Sequence, residues 1–277
     1  MLTGIRLNRL VIAALLVAPL SFVSAEDDPT PIEPKEKMVL FNGKDFTGFY
    51  TFISDTKYED PKQVFTIVTD DGKPAIRVSG EGGFGGVITK QAFKNYKLIV
   101  EYRWGTKTWG SREKATRDSG ILLHCTGPDG GYNGTWHSSI ECQLIEGGTG
   151  DLLVVPGKDP KIPPSVMAEV ALDRDGEPIW KKGGEKKLFK GGRVNWYGRD
   201  PDWKDELGFR GKDDVQGDQQ EWTTVECIAD GDHLQYFVNG KLVNEAFEAT
   251  PAFGKLCFQT EGAEVYFRKI ELHPLKK

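Results

Sequence analysis

Residues 139–148 read Ser-Ile-Glu-Cys-Gln-Leu-Ile-Glu-Gly-Gly, so Glu141 and Gln143 alternate with the apolar Ile140, Cys142 and Leu144. A strand turns successive side chains to opposite faces, so the period of two puts a carboxylate and a carboxamide on one face and a core stripe on the other. A carboxylate can take or give a proton, and an amide beside it can hold a hydroxyl. Carbohydrate chemistry uses such groups on a sheet face. The same alternation also describes any antiparallel sheet with one wet side.

A second alternating run, Ser119-Gly120-Ile121-Leu122-Leu123-His124-Cys125, puts His124 on the face of Gly120 and Leu122. Laid beside 139–145, it is expected to send Cys125 and Cys142 to the core and to bring His124, Glu141 and Gln143 to one polar cleft. A histidine there would serve as a proton partner for the glutamate. Glu261 shares the alternation of Cys257 and Gln259, and is a further candidate for that cleft. The chain has seven tryptophans. Trp109, Trp136 and Trp196 stand in or beside loops, where an indole plane can stack on the apolar face of a sugar ring; core packing is the alternative use.

The elements that must hold these residues are strands. Apolar runs recur at 64–69, 75–79, 96–104, 119–125, 139–145, 222–229, 233–238, 241–247, 255–260 and 264–272, and no window keeps a helical period. Asp71-Gly72 and Asn239-Gly240 sit between paired runs as two-residue hairpin turns, whose central residues both need positive φ. With 33 glycines and 15 prolines as punctuation, the chain is expected to be all-β, a sandwich of two antiparallel sheets with long loop insertions. Residues 38–277 are taken as one domain. The stretch 156–221 breaks the strand rhythm with Lys-Gly clusters, yet carries Trp180, Trp196, Tyr197, Trp203 and Phe209. It is expected to be an ordered loop insertion packed over one edge of the sandwich. Lys181-Lys182 and Lys186-Lys187 read as solvated loop charges, and Arg268 as one half of a structural ion pair.

Residues 1–25 carry Arg6 and Arg9, an apolar stretch at 10–20, and Val23-Ser24-Ala25 as a small-residue cleavage site. A secretory leader cut after Ala25 is expected, which places the protein in the periplasm or outside the cell. Residues 26–37 read as a polar, Pro-rich linker. The apolar stretch is shorter than the roughly 20 residues that span a bilayer, so no membrane span is expected. The formal net charge of −5 argues against nucleic acid or an anionic membrane as partner. Cys125, Cys142, Cys227 and Cys257 lie in apolar runs. They suit either disulfides, of which four cysteines allow three pairings, or buried free thiols, and none has zinc-site spacing.

Glu141-x-Gln143-x-x-Glu146 resembles the Glu-x-Asp-x-x-Glu strand of laminarinase-type retaining glucanases, in which the outer glutamates are nucleophile and acid/base. Glu146 would need one bulged residue to regain the face of Glu141, and Gln143 removes the central charge. Taken together, Leu40-Phe41-Asn42-Gly43-Lys44-Asp45-Phe46-Thr47-Gly48-Phe49, Asp118-Ser119-Gly120-Ile121, Glu141-x-Gln143, Trp222-Thr223 with Asn239-Gly240, and Gln259-x-Glu261-Gly262-x-x-Val265-x-Phe267-Arg268-Lys269-Ile270 resemble the bacterial 3-keto-disaccharide hydrolase domain, from about Val39 to Leu275. Two positions depart from that family's usual pattern: His124 stands where an Arg is common, and Lys269 where an Asn is common.

The resemblance implies a concanavalin-like jelly-roll sandwich, an extracytoplasmic setting, and cleavage of glycosides already oxidised at sugar C3. On that reading Glu141 and His124 are the catalytic candidates. Gln143, Glu146, Trp109, Trp136, Trp196 and Glu261 are the candidates for substrate binding. No cofactor is assigned; a divalent cation could polarise the ketone, with His124 and Glu141 as suitable ligands. A lectin-like glycan-binding module without turnover and a retaining endoglucanase are the rival expectations.

Overall fold

The structure is a computed structural model and describes residues 28–158, 161–218 and 220–276. The expected leader at 1–25 lies outside them. In chain order the strands are β1 (Met38–Val39), β2 (Phe49–Ile53), β3 (Phe65–Asp70), β4 (Lys73–Val78), β5 (Gly85–Thr89), β6 (Tyr96–Thr108), β7 (Asp118–Thr126), β8 (Ser138–Ile145) and β9 (Leu152–Val155). They continue as β10 (Ser165–Leu172), β11 (Pro178–Trp180), β12 (Glu185–Phe189), β13 (Gly192–Val194), β14 (Thr223–Asp230), β15 (His233–Val238), β16 (Lys241–Thr250), β17 (Lys255–Thr260) and β18 (Ala263–Pro274). One turn of 3-10 helix, Gly110–Arg112, interrupts them.

The strands form two antiparallel sheets in a jelly-roll sandwich. The larger has the order β11-β10-β16-β15-β14-β6-β18-β4-β3, with β1 also on β18 and β12 on β10; the smaller runs β13-β9-β8-β7-β17-β5-β2. Alternation builds the core between them. On β6, Tyr96, Leu98, Val100, Tyr102 and Trp104 point inward, and on β8 Ile140, Cys142 and Leu144 meet them. Burying each such side chain contributes roughly 1.5–3 kcal/mol. The outer face of the smaller sheet carries a second apolar cluster of Phe52, Ile88, Leu122, Cys125 and Cys257.

Both hairpin signals hold. Asp71 and Gly72 have φ of 49° and 72°, Asn239 and Gly240 have 48° and 79°, and the flanking residues pair as Asp70 with Lys73 and Val238 with Lys241. Arg268 donates to Glu101 at 2.7 Å. The expectation of a loop at 156–221 is corrected: this stretch supplies β10, β11 and β12 to the larger sheet and β13 to the smaller. β10 buries Val166, Ala168 and Val170 in strict alternation. Residues 28–37 are not a free linker either, since Ile32 bridges Phe93 and its N–H donates to the Ala92 carbonyl at 2.8 Å. All four cysteines are free and buried. Among the described residues no helix is long and apolar enough to cross a membrane.

Candidate active site

Strand register places the candidate residues. On the outer face of the smaller sheet Glu141 of β8 pairs with Leu122 of β7, and Gln143 with Gly120. Leu122 in turn pairs with Cys257 of β17, which brings Gln259 beside Gly120. Glycine at 120 is required by what stands over it: a Cβ there would lie 2.1 Å from Oε1 of Glu141 and 2.2 Å from Oε1 of Gln259. The missing side chain is the space into which both polar groups lean.

Glu141 is 3 % exposed, and its Oε1 has no hydrogen-bond partner among the described residues; neither has Oε1 of Gln259. Burial pushes the Glu141 carboxyl up to about 8, the nearby Asp118 adds to the shift, and the Arg193 guanidinium opposes it. An orphaned, proton-holding carboxyl on a sheet face costs stability, and such groups concentrate at functional sites.

Around it stands a charged ring. Asp118, at the start of β7, accepts from Gln143 Nε2 and from Arg112 Nη2. Arg112 comes from the 3-10 turn after β6 and also reaches Asp205 at 3.3 Å and Glu261 at 3.5 Å. Burial raises both Asp118 and Glu261, while Arg112 draws each back down. Arg193 of β13 is held by Asp151 at 2.9 Å. At the other end of the same face the surface turns aromatic. Trp136 packs on the Leu122, Cys125 and Cys257 cluster, stacks on Phe84 with ring centroids 5.6 Å apart, and donates its Nε1–H to the Gly85 carbonyl at 3.0 Å. Tyr50 and Tyr58 both donate to Asp129 at 2.8 Å, opposite His137.

Glu141, Gln143 and Glu261 are thus brought together, with Trp136 on the same face. Trp109 lies beside the Glu261 end: its N–H donates to the Gly262 carbonyl at 2.7 Å and its indole to Ser79 at 3.0 Å. Three expected placements are corrected. His124 is the extra residue of a β-bulge, with φ of 53°, two residues of β7 facing one on each neighbour. The bulge breaks the alternation, turning the imidazole inward against Tyr96 at 6.0 Å and moving Cys125 to the outer face. Its Nδ1 contacts the Pro251 carbonyl at 2.8 Å, and burial depresses its pKa to about 4, so it stays neutral and off the cleft.

Glu146 is buried, 1 % exposed, and its carboxylate is turned into the protein rather than onto the face of Glu141. Its oxygens accept from Arg117 Nη1 at 2.6 Å, the Arg117 N–H at 2.8 Å and the Gly208 N–H at 2.9 Å. No bulge returns it to the face of Glu141, so these two glutamates do not form the carboxylate pair of a retaining glucanase. Trp196 is 1 % exposed and belongs to the core between the sheets. The sequence reading missed Arg112, Asp118, Arg193 and Gln259 as site residues. Asp118 and Gln259 stood inside quoted motifs and on the right alternation; the arginines arrive from a turn and a three-residue strand, where no period marks them. No three His, Cys, Asp or Glu among the described residues are placed to hold a metal ion.

The site is a buried carboxyl, two amides and a ring of charge on one outer face of an antiparallel sandwich. The chain belongs to the 3-keto-alpha-glucoside-1,2-lyase-like domain family, which matches residues 36–273. Among curated proteins, none matches the chain. Solved structures similar to it include a candidate glycosyl hydrolase of Parabacteroides distasonis, 19 % identical over 87 % of this chain and 95 % of that one, with a TM-score of 0.47. A beta-glucanase of Bacillus licheniformis is 11 % identical over 87 % of this chain and 99 % of its own, with a TM-score of 0.43.

Proposed function

We propose that this protein cleaves glycosides whose sugar carries a ketone at C3, with Glu141 as the base. The observation that supports it most is the Glu141 carboxyl, buried, without a hydrogen-bond partner at Oε1 among the described residues and pushed up to about 8. A C3 ketone acidifies the C2 proton, and a carboxylate of raised basicity is suited to remove it. No paired carboxylate or strong nucleophile is then needed.

The steps balance within the substrate. Ionised Glu141 takes the C2 proton and the C–H electron pair spreads onto the C3 oxygen. As that pair returns to form the C1=C2 bond, the C1–O bond breaks. The departing oxygen takes a proton, which the newly protonated Glu141 can return. The products are the free aglycone and an unsaturated keto sugar, and water adding across its double bond completes a net hydrolysis. The Arg112 guanidinium and the amide of Gln259 or Gln143 are the donors suited to the developing enolate oxygen. Trp136 would carry the apolar face of a ring. Export behind the leader at 1–25 fits glycosides met outside the cytoplasm.

The test compares p-nitrophenyl 3-keto-α-glucoside with the unoxidised glucoside. Release of p-nitrophenol from the ketone alone, accompanied by exchange of the C2 hydrogen with deuterated solvent, is expected. Equal release from both sugars, or binding with no release from either, contradicts the reading.

A further inference from the structure

Among the seven tryptophans, six donate the indole N–H to an oxygen: Trp104, Trp109, Trp136, Trp196, Trp203 and Trp222. Trp180 is 6 % exposed, and its Nε1–H meets no acceptor among the described residues. It ends β11, away from the Glu141 face, and lines a depression of about 430 Å³ with Ile179, Lys181, Lys182, Tyr197 and Leu242. Tyr197 stands 38 % exposed there, its ring 5.9 Å from that of Trp180.

The rim is basic. Lys181 and Lys182 line the depression, and the Lys241 ammonium lies 5.0 Å from the centroid of Tyr197. None of the three has a carboxylate partner among the described residues, in a chain whose net charge is −5. Unpaired cations around an apolar aromatic floor form a surface complementary to a ring that is apolar on one face and anionic at its edge.

We propose that this depression is a second carbohydrate site, separate from the Glu141 face, that binds a pyranose bearing a carboxylate or a sulfate ester. The ring rests on Tyr197, and the lysines meet its anionic group. The pair Lys181-Lys182 then has a use beyond solvation.

Calorimetry on the full chain with trigalacturonate and with a sulfated galactose trimer, against maltotriose as the neutral control, tests it. At least one anionic trimer should bind and weaken as salt rises, and maltotriose should bind more weakly. Tyr197→Ala, at an exposed position, should weaken that binding about tenfold. The double change Lys181→Ala with Lys182→Ala should weaken it and flatten its salt dependence. Failure of both anionic trimers to bind, equal affinity for maltotriose, or affinity unaltered by Tyr197→Ala and the double lysine change overturns the proposal. Because no keto sugar is used, the result is independent of the activity assigned to Glu141.

Discussion

Glu141 lies where a carboxylate is poorly solvated, and its proton affinity links the site to stability. Its pKa is raised above the ordinary carboxylate range, to about 8, so the folded state binds a proton that the unfolded chain releases. The stability this contributes is full below the unfolded pKa and is lost as pH rises through about 8. Each pKa unit is about 1.4 kcal/mol, so Glu141→Gln should raise the unfolding free energy at pH 8 by up to a few kcal/mol and leave it nearly unchanged at pH 4. Thermal melts at the two pH values check this. Activity should vary in the opposite sense, because the base works only when ionised: kcat/KM is expected to climb as pH approaches 8 and then level off. Gly120→Ala should leave the protein folded, at a cost of about 1–3 kcal/mol. The new Cβ would displace the ends of Glu141 and Gln259, so turnover should fall far more than stability, as paired melts and rate measurements would show.

Strands that alternate cleanly were legible from the sequence, and those that depart from alternation were not. On β8 the register Ile140, Glu141, Cys142, Gln143 continues without interruption, and the outward placement of Glu141 and Gln143 follows from residue types alone. On β7 one inserted residue reverses the pattern at His124, as its φ of 53° and the two-against-one register show; histidine tolerates positive φ, but one such residue in an apolar run does not announce a bulge. β10 was hidden for another reason. Met167, Ala168 and Glu169 favour no strand, and the Pro and Lys-Gly clusters around them resemble loop, yet pairing with β16 and β12 overrides that local preference. Glu146 shows the limit of motif reading, because its spacing matches a catalytic strand while its oxygens close the corner between β7, β8 and the 206–208 turn. Arg117→Ala, which would strand that buried carboxylate, is expected to cost about 3–5 kcal/mol, measured by denaturant unfolding, with wild-type pH dependence of the remaining activity.

Across the molecule, polar chemistry is placed on one outer face and the packing between two sheets keeps it rigid. The core holds Cys142 in hydrogen-bonding reach of Cys227, while Cys125 and Cys257 share the outer apolar cluster, and all four are free thiols. The folded protein should therefore resist a thiol reagent, release four reactive thiols on denaturation, and melt at the same temperature with or without reductant. The proposed function turns on one claim, that Glu141 removes a proton made acidic by a neighbouring ketone. The most direct measurement follows the C2 hydrogen of a 3-keto-α-glucoside by NMR in deuterated buffer, with wild-type protein and with folded Glu141→Gln. Loss of the C2 signal together with aglycone release in the wild type, and neither in the variant, is the predicted result; C2 exchange or cleavage persisting at wild-type rate in Glu141→Gln would contradict it.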